Sequence, residues 1–225
     1  MIYLLESRSF GMMRFLNLIF GLFLFALGIV FAIQANIGYA PWEVFHVGLS
    51  ITTGITIGMA SIITGVVIGL VVIALGEKFG LGMIFNMFLI GIFIDLIMWP
   101  NIIPASGHFG IGVAMLLFGL VLISVGSYFY IKSAFGAGPR DSLMLAINRR
   151  TKMPVGLCRS LLELTVTVIG WFLGGMVGLG TVIFVIMIGF CLQAVFAITK
   201  FDVKAVQHET LSETYQSIKN KFKKN

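Results

Sequence analysis

The chain has 225 residues, of which 59% are hydrophobic and only 11% charged, and its formal net charge is +6. A soluble domain carries about 25% charged residues and roughly 45–50% apolar ones, and a fold of this size has too much surface per volume to hide so much apolar material from water. The composition excludes an ordinary soluble enzyme, a disordered chain and a secreted disulfide scaffold, and it leaves a polytopic membrane protein.

In chain order, residues 1–14 read as a cytoplasmic N-terminus. Residues 15–35 are long enough to cross a bilayer, which takes about 20 residues. The run is longer than a signal-peptide core and has no clear small-x-small cleavage site, so it is read as retained. Spans at 57–75 and 81–98 follow, joined by the tight turn at 76–80. Residues 99–110 form an external linker, and spans at 111–131, 154–173 and 179–198 complete a set of six. These runs are continuously apolar rather than alternating, which argues against a β-barrel. Cys158 and Cys191 lie inside them with no metal-ligand spacing.

Two shorter segments, 41–53 and 139–150, are half-helices. A helix of their length reaches roughly 18–20 Å, short of the roughly 30 Å hydrocarbon core. Each opens with Pro (Pro41, Pro139) and has an acid two residues on (Glu43, Asp141). That is a helix-start pattern with a carboxylate at the positive end of the dipole. Gly38, Gly136 and Gly138 precede the two prolines. Glu43, His46 and Ser50 share one helix face, as do Asp141 and Asn148.

Shifting the chain by 98 residues aligns 18–96 with 116–194 without a gap, giving 19 identities in 79 positions. Eight are glycines: Gly21/Gly119, Gly28/Gly126, Gly38/Gly136, Gly58/Gly156, Gly76/Gly174, Gly80/Gly178, Gly82/Gly180 and Gly91/Gly189. Apolar bias can imitate matched leucines but not this glycine register. The expected architecture is an all-α membrane bundle of two tandem repeats, 15–98 and 111–199, each of three spans plus one half-helix. An odd number of spans per repeat inverts the second half relative to the first. Such inverted repeats with broken helices recur in secondary transporters, with the substrate site at the repeat interface.

Topology follows from the basic residues. If the half-helices return to the side they entered from, the stretches 35–56, 99–110 and 174–178 lie outside and contain no Lys or Arg. The Lys78 turn, the segment from Lys132 to Lys152 and the tail 200–225 then lie inside with both termini. If the half-helices cross fully, eight spans result. The tail holds Lys200, Lys204, Lys219, Lys221, Lys223 and Lys224, and it reads either as a solvated segment or as an anionic-lipid contact.

The polar residues within apolar segments each carry two readings. Arg159 and Glu163 share a helix face four apart, either as a functional pair, because intramembrane charge is costly, or as a structural ion pair. Asp95 follows Gly91 by four and Gln193 follows Gly189 by four. Each is either an interhelical hydrogen-bonding group beside a close helix contact or, at Asp95, a proton or cation ligand. Asn86 belongs to the same intramembrane polar set. Arg140 replaces Trp42 across the repeat and stands at a half-helix N-terminus, where free N–H groups favour anions. It either holds a carboxylate or phosphate, or pairs with Asp141 or snorkels to the boundary. Glu43 and His46 form a titrating pair or a solvated polar face. Arg140, Asp141, Glu43, His46 and Trp42 are the candidate substrate-binding set.

Gly38-Tyr-Ala-Pro41-Trp42-Glu43 and Gly136-Ala-Gly138-Pro139-Arg140-Asp141 resemble signatures of the bacterial YczE/YitT-type integral membrane proteins. Arg159-x-x-x-Glu163, Gly170-Trp171-x-Leu173-Gly174-Gly175, Val177-Gly178-x-Gly180-Thr181 and Gly91-x-x-x-Asp95 fit the same pattern. Met83 departs from it where a Thr is expected, and its partner at the 98-residue offset is Thr181. The resemblance implies a bacterial cytoplasmic-membrane location and supplies no substrate.

The expected function is a small secondary transporter or binder of a small solute, an anionic one among the options, with its site between the two half-helices. The alternative is a non-transporting scaffold or accessory subunit whose polar residues are structural. No nucleophile–base set, phosphate loop or metal set is present in the sequence pattern, so neither an enzyme nor a cofactor is expected. The expected partners are the lipid bilayer and an unidentified solute, with homo-oligomerisation open. Nucleic acid is not expected, because the basic residues do not form one face.

Overall fold

The computed structural model describes residues 11–77, 79–206, 209–211 and 213. Most of the expected N-terminal segment, Lys78 and the lysines at 219, 221, 223 and 224 lie outside the described residues. Among the described residues, eight α-helices make up the fold: α1 Met12–Gln34, α2 Pro41–Thr53, α3 Ile57–Ala74, α4 Leu81–Met98, α5 Phe109–Lys132, α6 Pro139–Thr151, α7 Val155–Phe172 and α8 Leu179–Ile198. One 3₁₀ turn at Val203–Ala205 follows, and the described residues contain no strand. Six of the helices (α1, α3, α4, α5, α7 and α8) are long and apolar enough to cross a membrane. The all-helical membrane bundle expected from composition is therefore the architecture observed.

The half-helices start and stop where local chemistry dictates. α2 and α6 each carry Pro in the first turn and an acid beside it, Glu43 and Asp141. There the missing proline N–H costs nothing and the carboxylate meets the positive end of the dipole. Gly54 ends α2 in the left-handed conformation at φ 76°, and Lys152 ends α6 likewise at φ 59°. Thr56 caps α3, its hydroxyl accepting the Met59 N–H at 3.1 Å. The expected boundary at residue 15 moves outward, because α1 takes in Arg14. Its guanidinium lies over the Phe135 ring at 4.6 Å, donates to the Ser133 carbonyl and pairs with Glu209 at 2.7 Å. These contacts offset the charge at the helix end.

Geometry recurs at the 98-residue spacing. Left-handed residues fall in pairs at Asn36 and Ala134, Gly38 and Gly136, Gly54 and Lys152, and Gly76 and Gly174. The Gly82 N–H donates to the Phe135 carbonyl at 2.6 Å, and the Gly180 N–H donates to the Ile37 carbonyl at 2.8 Å. α1 and α5 run antiparallel along the centre of the bundle, with Gly21 against Gly126 and Gly28 against Gly119. Glycine is required at position 38. Its φ is +117°, and a Cβ there would lie 2.6 Å from the Gly178 nitrogen. The buried core follows this central pair: Leu18, Leu22, Ala26, Leu116 and Leu120 are fully enclosed.

The bundle has two chemically distinct ends. At one, the 34–36 turn meets the 103–108 loop through Gln34 and Asn36, and Thr52 donates to the Leu173 carbonyl. At the other, Arg149 pairs with Glu77 at 2.7 Å, Arg150 donates to the Leu75 carbonyl, and the Glu209 N–H donates to the Ala134 carbonyl.

One helix pair breaks the recurrence. α3 packs closely on α4, but among the described residues α7 makes no comparable contact with α8.

Candidate functional site

The N-terminal ends of the two short helices meet. A central cavity of about 450 Å³ is lined from α2 by Pro41, Trp42 and Glu43 and from α6 by Pro139, Arg140 and Asp141. That volume lies within the usual range for small-molecule sites. The C-terminal ends diverge: α2 reaches Leu173 through Thr52, and α6 reaches Glu77 and Leu75 through Arg149 and Arg150. Both sets of free N-terminal N–H groups are thus directed at one interior space.

The meeting point is built from both half-helices. The Arg140 guanidinium of α6 lies over the Trp42 ring of α2, its carbon 4.5 Å from the ring centroid. Its Nη1 is 3.9 Å from the Glu43 carboxylate, and its Nη2 is 3.5 Å from His46 Nε2. Both approaches are long for charge-assisted hydrogen bonds, which close to about 2.7–2.9 Å. Glu43 and His46 are buried, 4% and 1% exposed, while the Arg140 side chain keeps 29% of its surface. His46 Nδ1 is buried without a hydrogen-bond partner, a state that folded interiors mostly avoid. The sequence pattern left His46 open to a solvated role; the structure encloses it against Arg140, Trp42 and Phe45.

The other polar candidates divide into two groups. Asn86, Arg159 and Glu163 line the cavity with the half-helix residues. Arg159 Nε bonds Glu163 Oε1 at 2.8 Å, with side chains 49% and 21% exposed. Gly138 precedes α6 with the Asn86 amide 3.5 Å from where its Cβ would be. Asp95 and Gln193 lie outside the cavity lining. Asp95 accepts the Gly58 N–H at 2.8 Å and the Thr56 hydroxyl at 2.5 Å, holding α4 to α3. Gln193 is exposed on α8. Ser50 and Asn148 close their own helix ends, donating to the carbonyls of Ile55 and Met153.

Three residues of the site escape a reading of spacing alone. Tyr130 is buried in α5, lines the cavity and donates to the Gly136 carbonyl at 2.9 Å, holding the strained turn before α6. Ser61 and Ser127 also face the cavity. Tyr130 and Ser127 lie in an apolar span where one hydroxyl leaves no periodic signal, whereas Ser61, spaced with Gly65 and Gly69, reads as a helix-packing face.

Comparison with known proteins places this geometry in a family. The model of a family of unknown function, DUF6198, matches residues 12–197, and the chain belongs to that family. It is 34% identical over 175 residues, 77% of this chain and 80% of the relative, to a protein described as "Uncharacterized membrane protein YczE" in Bacillus subtilis (strain 168). It is also 34% identical over 176 residues, 78% of this chain and 80% of the relative, to an uncharacterized protein of Haemophilus influenzae. A third relative, "Uncharacterized protein YyaS" of Bacillus subtilis, is 28% identical over 193 residues, 84% of this chain and 94% of the relative. No solved structure matches significantly. The YczE-type resemblance carried by the two half-helix motifs is thereby borne out, and the chain is a membrane protein.

Proposed function

Proceeding from that membership, we propose that the chain is a secondary transporter or binder of a small anionic solute, taken where the N-terminal ends of α2 and α6 meet. The carrying observation is the Arg140 cluster: a guanidinium stacked on Trp42, more than 3 Å from the acceptors of Glu43 and His46, on the wall of a central cavity. The ring holds the guanidinium by a cation–π contact, and a planar fork suits a bidentate carboxylate or phosphate. The two half-helix N-termini add partial positive charge at the same place.

In this reading the two halves are inverted repeats, and the site lies on their shared axis. The recurring left-handed residues and reciprocal backbone hydrogen bonds support the repeat. The protein is set in a bacterial cytoplasmic membrane, with the Arg- and Lys-bearing end of the bundle and both termini on the cytoplasmic side. Glu43 and Asp141 are the groups available to couple protons.

One observation favours the scaffold reading. Asp95 is hydrogen-bonded to the start of α3 and Arg159 to Glu163, as structural polar groups would be. A thermal-shift panel of small carboxylates and phosphates on purified protein separates the two. Transport or binding predicts stabilisation by at least one anion, lost in Arg140→Gln at unchanged basal melting. A scaffold predicts no anion response in either protein.

A further inference from the structure

We infer that the anion held at Arg140 is the head of an amphiphile, and that it enters the cavity sideways through a gap between α7 and α8. The inference rests on the reading of Arg140 as an anion contact and adds the class of ligand and its route.

The helices around the cavity form a nearly closed ring. α7 packs on α6, α6 on α3, α3 on α4, α4 on α1, α1 on α5, and α5 on α8. Among the described residues, only the return from α8 to α7 lacks such a contact. The corresponding pair in the first half is shut: Gly58 lies against the Gly91 backbone, and Asp95 fastens α4 to the start of α3. The residues at the matching positions of α7 and α8 are Gly156 and Gly189. A Cβ on either would meet nothing within 4 Å. Burial follows the same division, since 44% and 33% of the α3 and α4 spans are buried against 11% of α7 and of α8. The register that closes one pair is present in the other, yet the other stands open.

What the gap admits is set by its walls. Both helices that frame it are apolar enough to cross a membrane, so the opening faces hydrocarbon. The cavity wall beside it is Leu162 of α7 and Phe184, Ile188, Leu192 and Phe196 of α8. Arg140 and Glu43 stand on other elements of the same cavity, and Arg159, 49% exposed, stands on α7 at its margin. A small hydrophilic anion gains nothing from this path, because it would shed its water in lipid before meeting a donor. A chain-bearing anion keeps its methylenes in apolar surroundings throughout and gives up head-group hydration only where the Arg140 fork replaces it.

The test uses the fluorescence of Trp42, which stacks on Arg140. In the full chain, Trp99→Phe and Trp171→Phe remove the other two tryptophans, both exposed. The protein is placed in phosphatidylcholine nanodiscs and titrated with a fatty acid brominated along its chain. The expected result is saturable quenching, at least about tenfold weaker for the methyl ester, and weakened by a similar factor in Arg140→Gln. Gly189→Phe, which fills the gap, should abolish it, while Gly156→Ala should not. Competition by phosphatidylglycerol would assign the head to a phospholipid, and its failure would assign it to a free acid; the shared chemistry holds in both. Short water-soluble carboxylates that bind through Arg140 while the brominated acid does not would overturn this inference and leave the anion site standing. If no anion of either kind depends on Arg140, the proposed function falls as well. If Gly189→Phe leaves quenching intact and instead dissociates a dimer, the gap is an interface with a second copy and the amphiphile route is wrong.

Discussion

Substituting Gly58 and Gly156 by alanine, one at a time, should have opposite consequences, although the two residues occupy matching positions in similar helices. At Gly58 the new methyl would overlap the Gly91 carbonyl oxygen and lie 2.5 Å from Asp95 Cγ. The helices can separate only by stretching the bonds that Asp95 accepts from Gly58 and Thr56. Overpacking of this kind costs about 1–3 kcal/mol, and weakening hydrogen bonds to a charged acceptor adds about 1.5–3 kcal/mol. Alanine returns about 0.5–1 kcal/mol in helix propensity. The net loss for Gly58→Ala is about 1.5–5.5 kcal/mol by these magnitudes. For Gly156→Ala only the propensity gain remains, because a Cβ there meets open space. Reversible unfolding of the purified protein in mixed micelles measures both. Equal losses at the two positions, or a Gly58→Ala protein as stable as the parent, would refute the packing asymmetry between the halves.

Four further outcomes follow from the same contacts. Asp95→Leu should destabilise by about 2–4 kcal/mol in the same assay and Asp95→Asn by less, since an amide oxygen can still accept the Gly58 N–H. Tyr130→Phe frees the Gly136 carbonyl and should cost about 1 kcal/mol; unchanged stability would mean the turn before α6 holds without it. Arg159→Glu combined with Glu163→Arg should leave melting within about 0.5 kcal/mol of the parent, because a half-exposed i,i+4 pair contributes little; a loss of several kcal/mol would assign the pair to tight packing. Single cysteines at Glu77 and Ser106, in a background lacking Cys158 and Cys191, should react with an impermeant thiol reagent from the cytoplasmic and the outer side respectively. Reaction at position 77 from outside would contradict the proposed inverted topology.

The helices themselves were readable because bilayer-length apolar runs leave few alternatives, and the half-helices because Pro41 and Pro139 mark their starts within a residue. The α1 boundary was misread because Arg14 looked like a flanking charge. Its partners, Ser133, Phe135 and Glu209, are more than a hundred residues away, and no local pattern announces them. The same distance hid the site. Glu43 and His46 share a face by spacing, yet what encloses them is Arg140, 94 residues further along than His46. Asp95 shows the opposite case: its spacing from Gly91 suggested either a helix clasp or an ion ligand, and only the Thr56 and Gly58 contacts assign it to the clasp. The open α7–α8 pair was invisible, since Gly156 and Gly189 spell the same register as the closed pair.

The central claim is that residues from the two half-helices act together on one anion. A double-mutant cycle between Glu43→Gln and Arg140→Gln, read as the affinity for an anion that stabilises the parent protein, tests it most directly. Groups that share a ligand and face each other across 3.9 Å should couple by about 1–3 kcal/mol. Losses that add to within about 0.5 kcal/mol would show two independent residues and contradict a common site.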